Sequence, residues 1–313
     1  MNSAVVAATK RINKECADCG DVRGARALLE QLVLSRGLRP TLVTANILVK
    51  TYRSARDPEG AEAMLANDFP NWGVCADGCT YSTLVDAYGL SDRLPDARRV
   101  ASAAEAAGAA DSRVYSALLR FVPAAEVSEL MAHLAARRVT INTALCNAAL
   151  STLANAGRAD EAQAFVQCHM LHGPAAARPD SRSRALVLKA LCTAGDTAAA
   201  ESLVLSLFDS GERVDAAAVS LVMNAFVCKQ PPDLPTAYRL MRGATAHGVR
   251  PDVAMYNVLL KGHAACSPPQ PERAEALLAE IRSAGRPLTW DCRGSPDHEP
   301  RSRAPITSPN HEP

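Results

Sequence analysis

A closing phrase, Gly-x-x-Pro-Asp or a worn form of it, returns along this 313-residue chain at near-constant spacing. It stands at Gly37-Leu38-Arg39-Pro40-Thr41, Cys75-Ala76-Asp77, Ala110-Asp111, Arg178-Pro179-Asp180 and Gly248-Val249-Arg250-Pro251-Asp252. A few residues after most copies comes an aromatic or small residue followed by Asn or Ser, as in Thr44-Ala45-Asn46, Thr80-Tyr81-Ser82, Val114-Tyr115-Ser116 and Met255-Tyr256-Asn257. A fixed period of this size means stacked supersecondary units, each burying its apolar face on the next.

Starting each unit after the closing residue gives eight: Val6–Thr41, Leu42–Asp77, Gly78–Asp111, Ser112–Asn142, Thr143–Asp180, Ser181–Asp215, Ala216–Asp252 and Val253–Thr289, of 31 to 38 residues. The pattern predicts two antiparallel helices per unit. Helix A is apolar at helical spacing, as in Ile47, Leu48, Tyr52 or Leu84, Val85, Tyr88. Gly20, Gly157 and Gly195 suit a left-handed cap at the A–B turn. Helix B places Ala at one register (Ala25, Ala61, Ala97, Ala162, Ala200, Ala237, Ala274), where a small residue permits close helix approach. Pro123 replaces the Gly turn in the short fourth unit, and Pro-rich insertions at Gln230-Pro231-Pro232 and Ser267–Pro271 fall on the A–B turns of the last two. From Asp291 to Pro313 the periodicity stops and Pro, Arg, Ser and His dominate, which reads as a disordered tail. The loss of pattern without a polar capping helix reads as a truncated or misread end.

The apolar share, 48% with only 4% aromatic, is Ala-, Leu- and Val-rich and suits close-packed helices rather than a sheet core. The net charge of +1 makes no case for a nucleic acid or an anionic membrane. No apolar run is long enough to span a bilayer, so no membrane partner is expected. The start, Met1-Asn2-Ser3-Ala4-Val5-Val6, lacks a secretory signal and reads as a cytosolic or an incomplete N-terminus. The ten cysteines follow the repeats rather than a disulfide spacing, which implies a reducing compartment, and Cys16, Cys192, Cys228 and Cys266 fall near the end of a first helix as small apolar residues; Cys16-Ala17-Asp18-Cys19 is a lone pair without matching ligands, so no metal or cofactor is expected.

In these phrases, most fully in Thr80-Tyr81-Ser82-Thr83-Leu84-Val85-Asp86-Ala87-Tyr88 and Val253–Gly262, with the Gly turn and the Pro-Asp loop in register, the chain resembles pentatricopeptide repeat proteins over about nine-tenths of its length. The resemblance implies an all-α, right-handed superhelical α-solenoid that binds single-stranded RNA. It implies an adaptor in RNA processing, stability or translation, in mitochondria or chloroplasts, alongside other RNA-processing proteins. Tetratricopeptide repeats, which bind peptides, share the architecture, but their Trp/Leu-Gly and Tyr signature is not found in register.

The resemblance also implies that two side chains per unit read one base, the Asn, Ser or Thr early in helix A and the closing residue. Unpaired base edges offer the needed hydrogen bonds, which a duplex hides. Carried over by position, Asn46 with Asp77 resembles a uridine reader, Ser82 with Asp111 guanosine, Ser116 with Asn142 adenosine, Asn147 with Asp180 uridine, Ser220 with Asp252 guanosine, and Asn257 with Thr289 a pyrimidine. Lys10 with Thr41 and Ala185 with Asp215 give no reading. The implied site is 5′-N-U-G-A-U-N-G-Y-3′. Asn and Ser early in a helix, and Asp before one, also satisfy ordinary capping preferences. The wedge position between bases holds Ala7, Val43, Cys79, Arg113, Ala144, Arg182, Ala217 and Ala254; Arg113 and Arg182 can stack a guanidinium on a base.

Charge offers a separate argument. The A-helix segments carry Lys10, Arg11, Lys14, Lys50, Arg53, Arg113, Arg120, Arg182, Arg184, Lys189 and Lys261 against Glu15, Asp18 and Asp86, an excess of eight cations suited to a phosphate backbone. No catalytic constellation or phosphate loop appears, and the seven histidines are scattered; His169 and His172 lie close, beside Cys168, without further ligands. The expectation is a non-enzyme with no small-molecule substrate. The alternatives are a peptide-binding scaffold and the RNA-binding part of a truncated, protein-only RNase P-like nuclease.

Overall fold

The computed structural model describes residues 3–173, 175–212 and 214–283. The eighth unit's closing Thr289 and the tail from Asp291 lie outside the described residues. The described residues form sixteen α-helices and no strand, an all-α helical repeat solenoid.

The A helices are α1 (Ser3–Ile12, continued by a wider π turn over Asn13–Ala17), α3 (Leu42–Ser54), α5 (Gly78–Gly89), α7 (Ser112–Leu119), α9 (Thr143–Asn155), α11 (Ser181–Ala194), α13 (Ala216–Val227) and α15 (Val253–Ala265). The B helices are α2 (Val22–Leu32), α4 (Pro58–Trp72), α6 (Leu94–Ala106), α8 (Val127–Ala136), α10 (Ala159–Phe165, continued by a π turn to Leu171), α12 (Thr197–Asp209), α14 (Leu234–Ala246) and α16 (Pro271–Ser283).

The A helices α1 to α13 each pack on the A helix of the next unit, and every A helix except α7 packs closely on its own B helix, whereas α12 and α14 are the B helices that approach most closely. A layer with denser packing subtends the shorter arc, so the A helices line the inner face. The repeated placement of small residues explains the approach: Ala25, Ala61, Ala97, Ala162, Ala200 and Ala237 are all buried, and Ala274 is half-buried. Large core side chains such as Leu48, Leu84 and Tyr88 are almost wholly buried, each contributing about 1.5–3 kcal/mol. The tyrosines also tie layers together. Tyr52 accepts from Arg26 Nε of the preceding B helix at 2.6 Å, Tyr88 donates to Glu62, and Tyr115 donates to Glu105 at 2.5 Å.

Five of the eight A–B turns place one residue in the left-handed region. Gly20, Gly157 and Gly195 take it with φ of 71°, 66° and 83°. In the second and third units Arg56 (φ 56°) and Asp92 (φ 57°) do so instead, a strain L-residues rarely adopt. Helix B then starts on a side-chain cap at Asp21, Asp57, Asp196 and Asp233.

Candidate nucleic-acid interface

The closing residue of each of the first seven units is the N-cap of the next A helix. Asp77 accepts from Thr80 N (2.9 Å), Asn142 from Leu145 N (2.9 Å), Asp180 from Ser183 N (2.8 Å), Asp215 from Ala218 N (2.7 Å) and Asp252 from Met255 N (2.9 Å). Asp111 accepts from Arg113 N and Val114 N at 2.9 and 3.4 Å, and Thr41 from Thr44 N at 3.4 Å. Capping therefore explains the recurring closing acid without any ligand, each cap contributing about 1 kcal/mol. Capping also does more: it fixes the carboxylate at the start of one A helix, beside the early helix-A residue of the unit before.

In two units that neighbour is bonded directly. Asn46 Nδ2 donates to Asp77 Oδ1 at 3.2 Å. Asn147 Nδ2 donates to Asp180 Oδ1 and Oδ2 at 3.2 and 3.3 Å. Burial alone would push the Asp77 carboxyl up; the Thr80 amide and hydroxyl and the Asn46 amide outweigh it and hold the carboxyl below its ordinary value. Asp180 is held down in the same way, against its burial, by Ser183 and Asn147.

The serine positions differ. Ser82 Oγ donates to Cys79 O (3.0 Å), Ser116 Oγ to Ser112 O (2.7 Å) and Ser220 Oγ to Ala217 O (3.0 Å), so each hydroxyl proton is used within its own helix and only acceptor capacity remains. None of these serines bonds its closing partner. Asn142 Nδ2 donates instead to Ser112 Oγ at 3.1 Å, and Asp111 holds the guanidinium of Arg113 at 2.7–2.8 Å. Arg113 is thus engaged, while Arg182 is exposed and makes no ion pair among the described residues. Asn257 is exposed, and its partner Thr289 lies outside the described residues.

Ser82, Ser116, Asn142, Asn147 and Asp180 line one open groove across the third to sixth units, together with Asp86, Arg113, Arg120 and Arg182. The groove brings five of the sequence-derived readers and both wedge arginines onto a single surface.

The charge on this face is smaller than the A-helix count implies. The caps Asp77, Asp111, Asp180, Asp215 and Asp252 belong to the A-helix starts and cut the excess of eight cations to three. Many of the cations are also paired: Arg11 with Glu15, Lys50 with Asp18, Arg113 with Asp111, Arg184 with Glu212, and both Arg53 (3.3 Å) and Arg120 (3.0 Å) with Asp86. Lys10, Lys14, Arg182, Lys189 and Lys261 make no ion pair with a carboxylate among the described residues; Lys189 donates to Asn155 Oδ1 and Lys261 to Asn224 Oδ1.

Two sets of residues escaped sequence reasoning. Asp86 joins three successive A helices through Arg53 and Arg120, a role that a count of acids does not reveal. The Thr80 and Ser183 hydroxyls approach Asn46 Oδ1 and Asn147 Oδ1 at 2.6 Å each; their shared place, third after a closing Asp, was a usable signal. Among the described residues no group of three or more His, Cys, Asp or Glu is arranged to hold a metal ion, and no helix is long and apolar enough to cross a membrane.

The fold is that of the pentatricopeptide repeat solenoids. The chain is similar to the crystal structure of the pentatricopeptide repeat protein PPR10 from maize, with a TM-score of 0.52 at 15% identity, covering 88% of this chain and 44% of that one. It is similar also to PPR10 in complex with an 18-nt psaJ RNA element, with a TM-score of 0.50 at 16% identity, covering 88% and 46%. The chain therefore spans less than half the length of these solved chains. No protein-family sequence model matches it. No curated protein sequence matches it either.

Proposed function

We propose that this chain is a non-catalytic adaptor that binds single-stranded RNA along its A-helix face, one base per unit, and acts in organellar RNA processing, stability or translation. The observation that carries the reading is the pairing of Asn46 with Asp77 and of Asn147 with Asp180. Each pair presents amide and carboxylate groups from adjacent A helices, in the same arrangement three units apart. Unpaired bases offer complementary donors and acceptors. The similarity to a structure described as an RNA complex supports the same reading.

The acceptor-only serines suit purine donors: the guanosine N1–H and N2–H at Ser82 and Ser220, and the adenosine N6–H at Ser116. The modest charge excess points to affinity drawn from stacking and base contacts as much as from phosphates. Fluorescence anisotropy at low salt, with a single strand containing 5′-UGAU-3′ and the same sequence as a duplex, tests the proposal. Preferential binding of the single strand is expected. Equal binding of the two, or none, overturns it and favours a peptide-binding scaffold.

A further inference from the structure

We propose that Thr80 and Ser183 are positioning residues that lock the amide orientation of Asn46 and Asn147 and thereby set uridine over cytidine; this rests on the base-reading function above. Both hydroxyls are buried, each about 1% exposed. Thr80 Oγ1 accepts from Asp77 N at 3.2 Å and lies 2.6 Å from Asn46 Oδ1 and 2.9 Å from Asp77 Oδ1. Ser183 Oγ repeats this with Asp180 N, Asn147 Oδ1 and Asp180 Oδ1 at 3.2, 2.6 and 2.9 Å.

The chemistry of the three groups selects one arrangement. An ionised carboxylate only accepts, so the asparagine turns its NH2 toward the aspartate. Its carbonyl then faces the hydroxyl, whose single proton goes to the nearest oxygen, the amide Oδ1. One Nδ2 proton and one Oδ1 lone pair are left open, in a fixed order. Uridine offers a donor at N3 beside a carbonyl acceptor, and cytidine an acceptor at N3 beside an amino donor. A locked amide distinguishes these two edges, whereas an amide free to flip serves both.

The chain itself carries the correlation. After both asparagines that have a closing Asp, Asn46 and Asn147, the third residue beyond that Asp is a hydroxyl, Thr80 or Ser183; Asn257, whose closing residue is Thr289, falls outside the comparison. Where the early helix-A residue is Ser82, Ser116, Ala185 or Ser220, that place holds Val114, Leu145, Ala218 or Met255. The remaining hydroxyl there, Thr44, follows Lys10 and bonds Thr9 and Thr41 at 2.7 and 3.1 Å instead.

The test measures competition binding of the full chain to single-stranded RNAs that differ only by U or C at the base facing the second or the fifth unit. Thr80→Val should reduce the U/C ratio about threefold to tenfold at the first base, the worth of one neutral hydrogen bond, and leave the second unchanged. Thr80→Ser should restore it. If Thr80→Val fails to fold, Ser183→Ala carries the same test at the other base. An unchanged ratio, or equal weakening for every RNA, overturns the assignment. If Asn46→Ser still moves the preference from U toward G in that case, base reading stands and only the lock falls. If Asn46→Ser also has no effect, the base reading falls with it.

Discussion

Replacing Asp86 with Asn should loosen the solenoid and tighten its hold on RNA at once. The Asp86 side chain is about 12% exposed and joins Arg53 of α3 to Arg120 of α7. Removing its charge weakens two charge-assisted hydrogen bonds. Such bonds contribute about 1.5–3 kcal/mol when shielded, but the arginine side chains are 33% and 51% exposed, so solvent screening reduces the expected loss to about 1–2 kcal/mol. The same change frees one net positive charge beside Ser82 and Ser116 in the groove. Each added phosphate contact on a single strand steepens log K against log salt by about 0.7. One or two contacts therefore predict a slope steeper by about 0.7–1.4 and tighter binding at low salt. Denaturant titration measures the first effect and anisotropy across salt concentrations the second. A variant with unchanged salt slope refutes the idea that Asp86 and its arginines lie on the RNA path. Unchanged stability refutes the inter-unit clamp.

Other perturbations separate surface from core. Arg182→Ala should leave the melting curve unchanged, because Arg182 has no ion pair, while weakening RNA binding and flattening the salt slope by about 0.7. Asp180 has a depressed folded pKa, so its stabilisation is fully present above the unfolded value of about 3.9 and is lost as pH falls through the folded value. Asp180→Asn should therefore be less stable at neutral pH and lose less further stability between about pH 4 and pH 2, as followed by circular dichroism. Burial pushes the Cys146 and Cys192 thiols up to about 11, whereas Cys19, Cys75, Cys168 and Cys228 are exposed. Brief alkylation at neutral pH followed by peptide mass mapping should label the exposed four first.

The repeat period and the two-helix unit were legible because they rest on local signals: apolar spacing, Gly turns and small residues at one register. The left-handed residues Arg56 and Asp92 were not, since Arg does not announce that conformation and Asp favours it only weakly. The closing acids were legible as a pattern, but capping alone accounts for their recurrence, and the pattern does not separate capping from the base-reading role proposed above. The charge excess on the A-helix face is smaller than the A-helix sequences imply for a tertiary reason. Caps numbered with one unit stand physically on the next, and pairs such as Arg120–Asp86 cross 34 residues of sequence. The bonded Asn–Asp pairs emerged where the register placed them, while the serine pairs did not touch, because a serine hydroxyl reaches its own helix carbonyl first.

The central claim is that successive units read successive bases, and an exchange of reader at two distant units tests it most directly. Asn46→Ser and Asn147→Ser, made separately, should each move the preferred base from U toward G at its own position, three nucleotides apart, without altering the other. Preferences that stay at U in both variants, or that move together, would contradict the account.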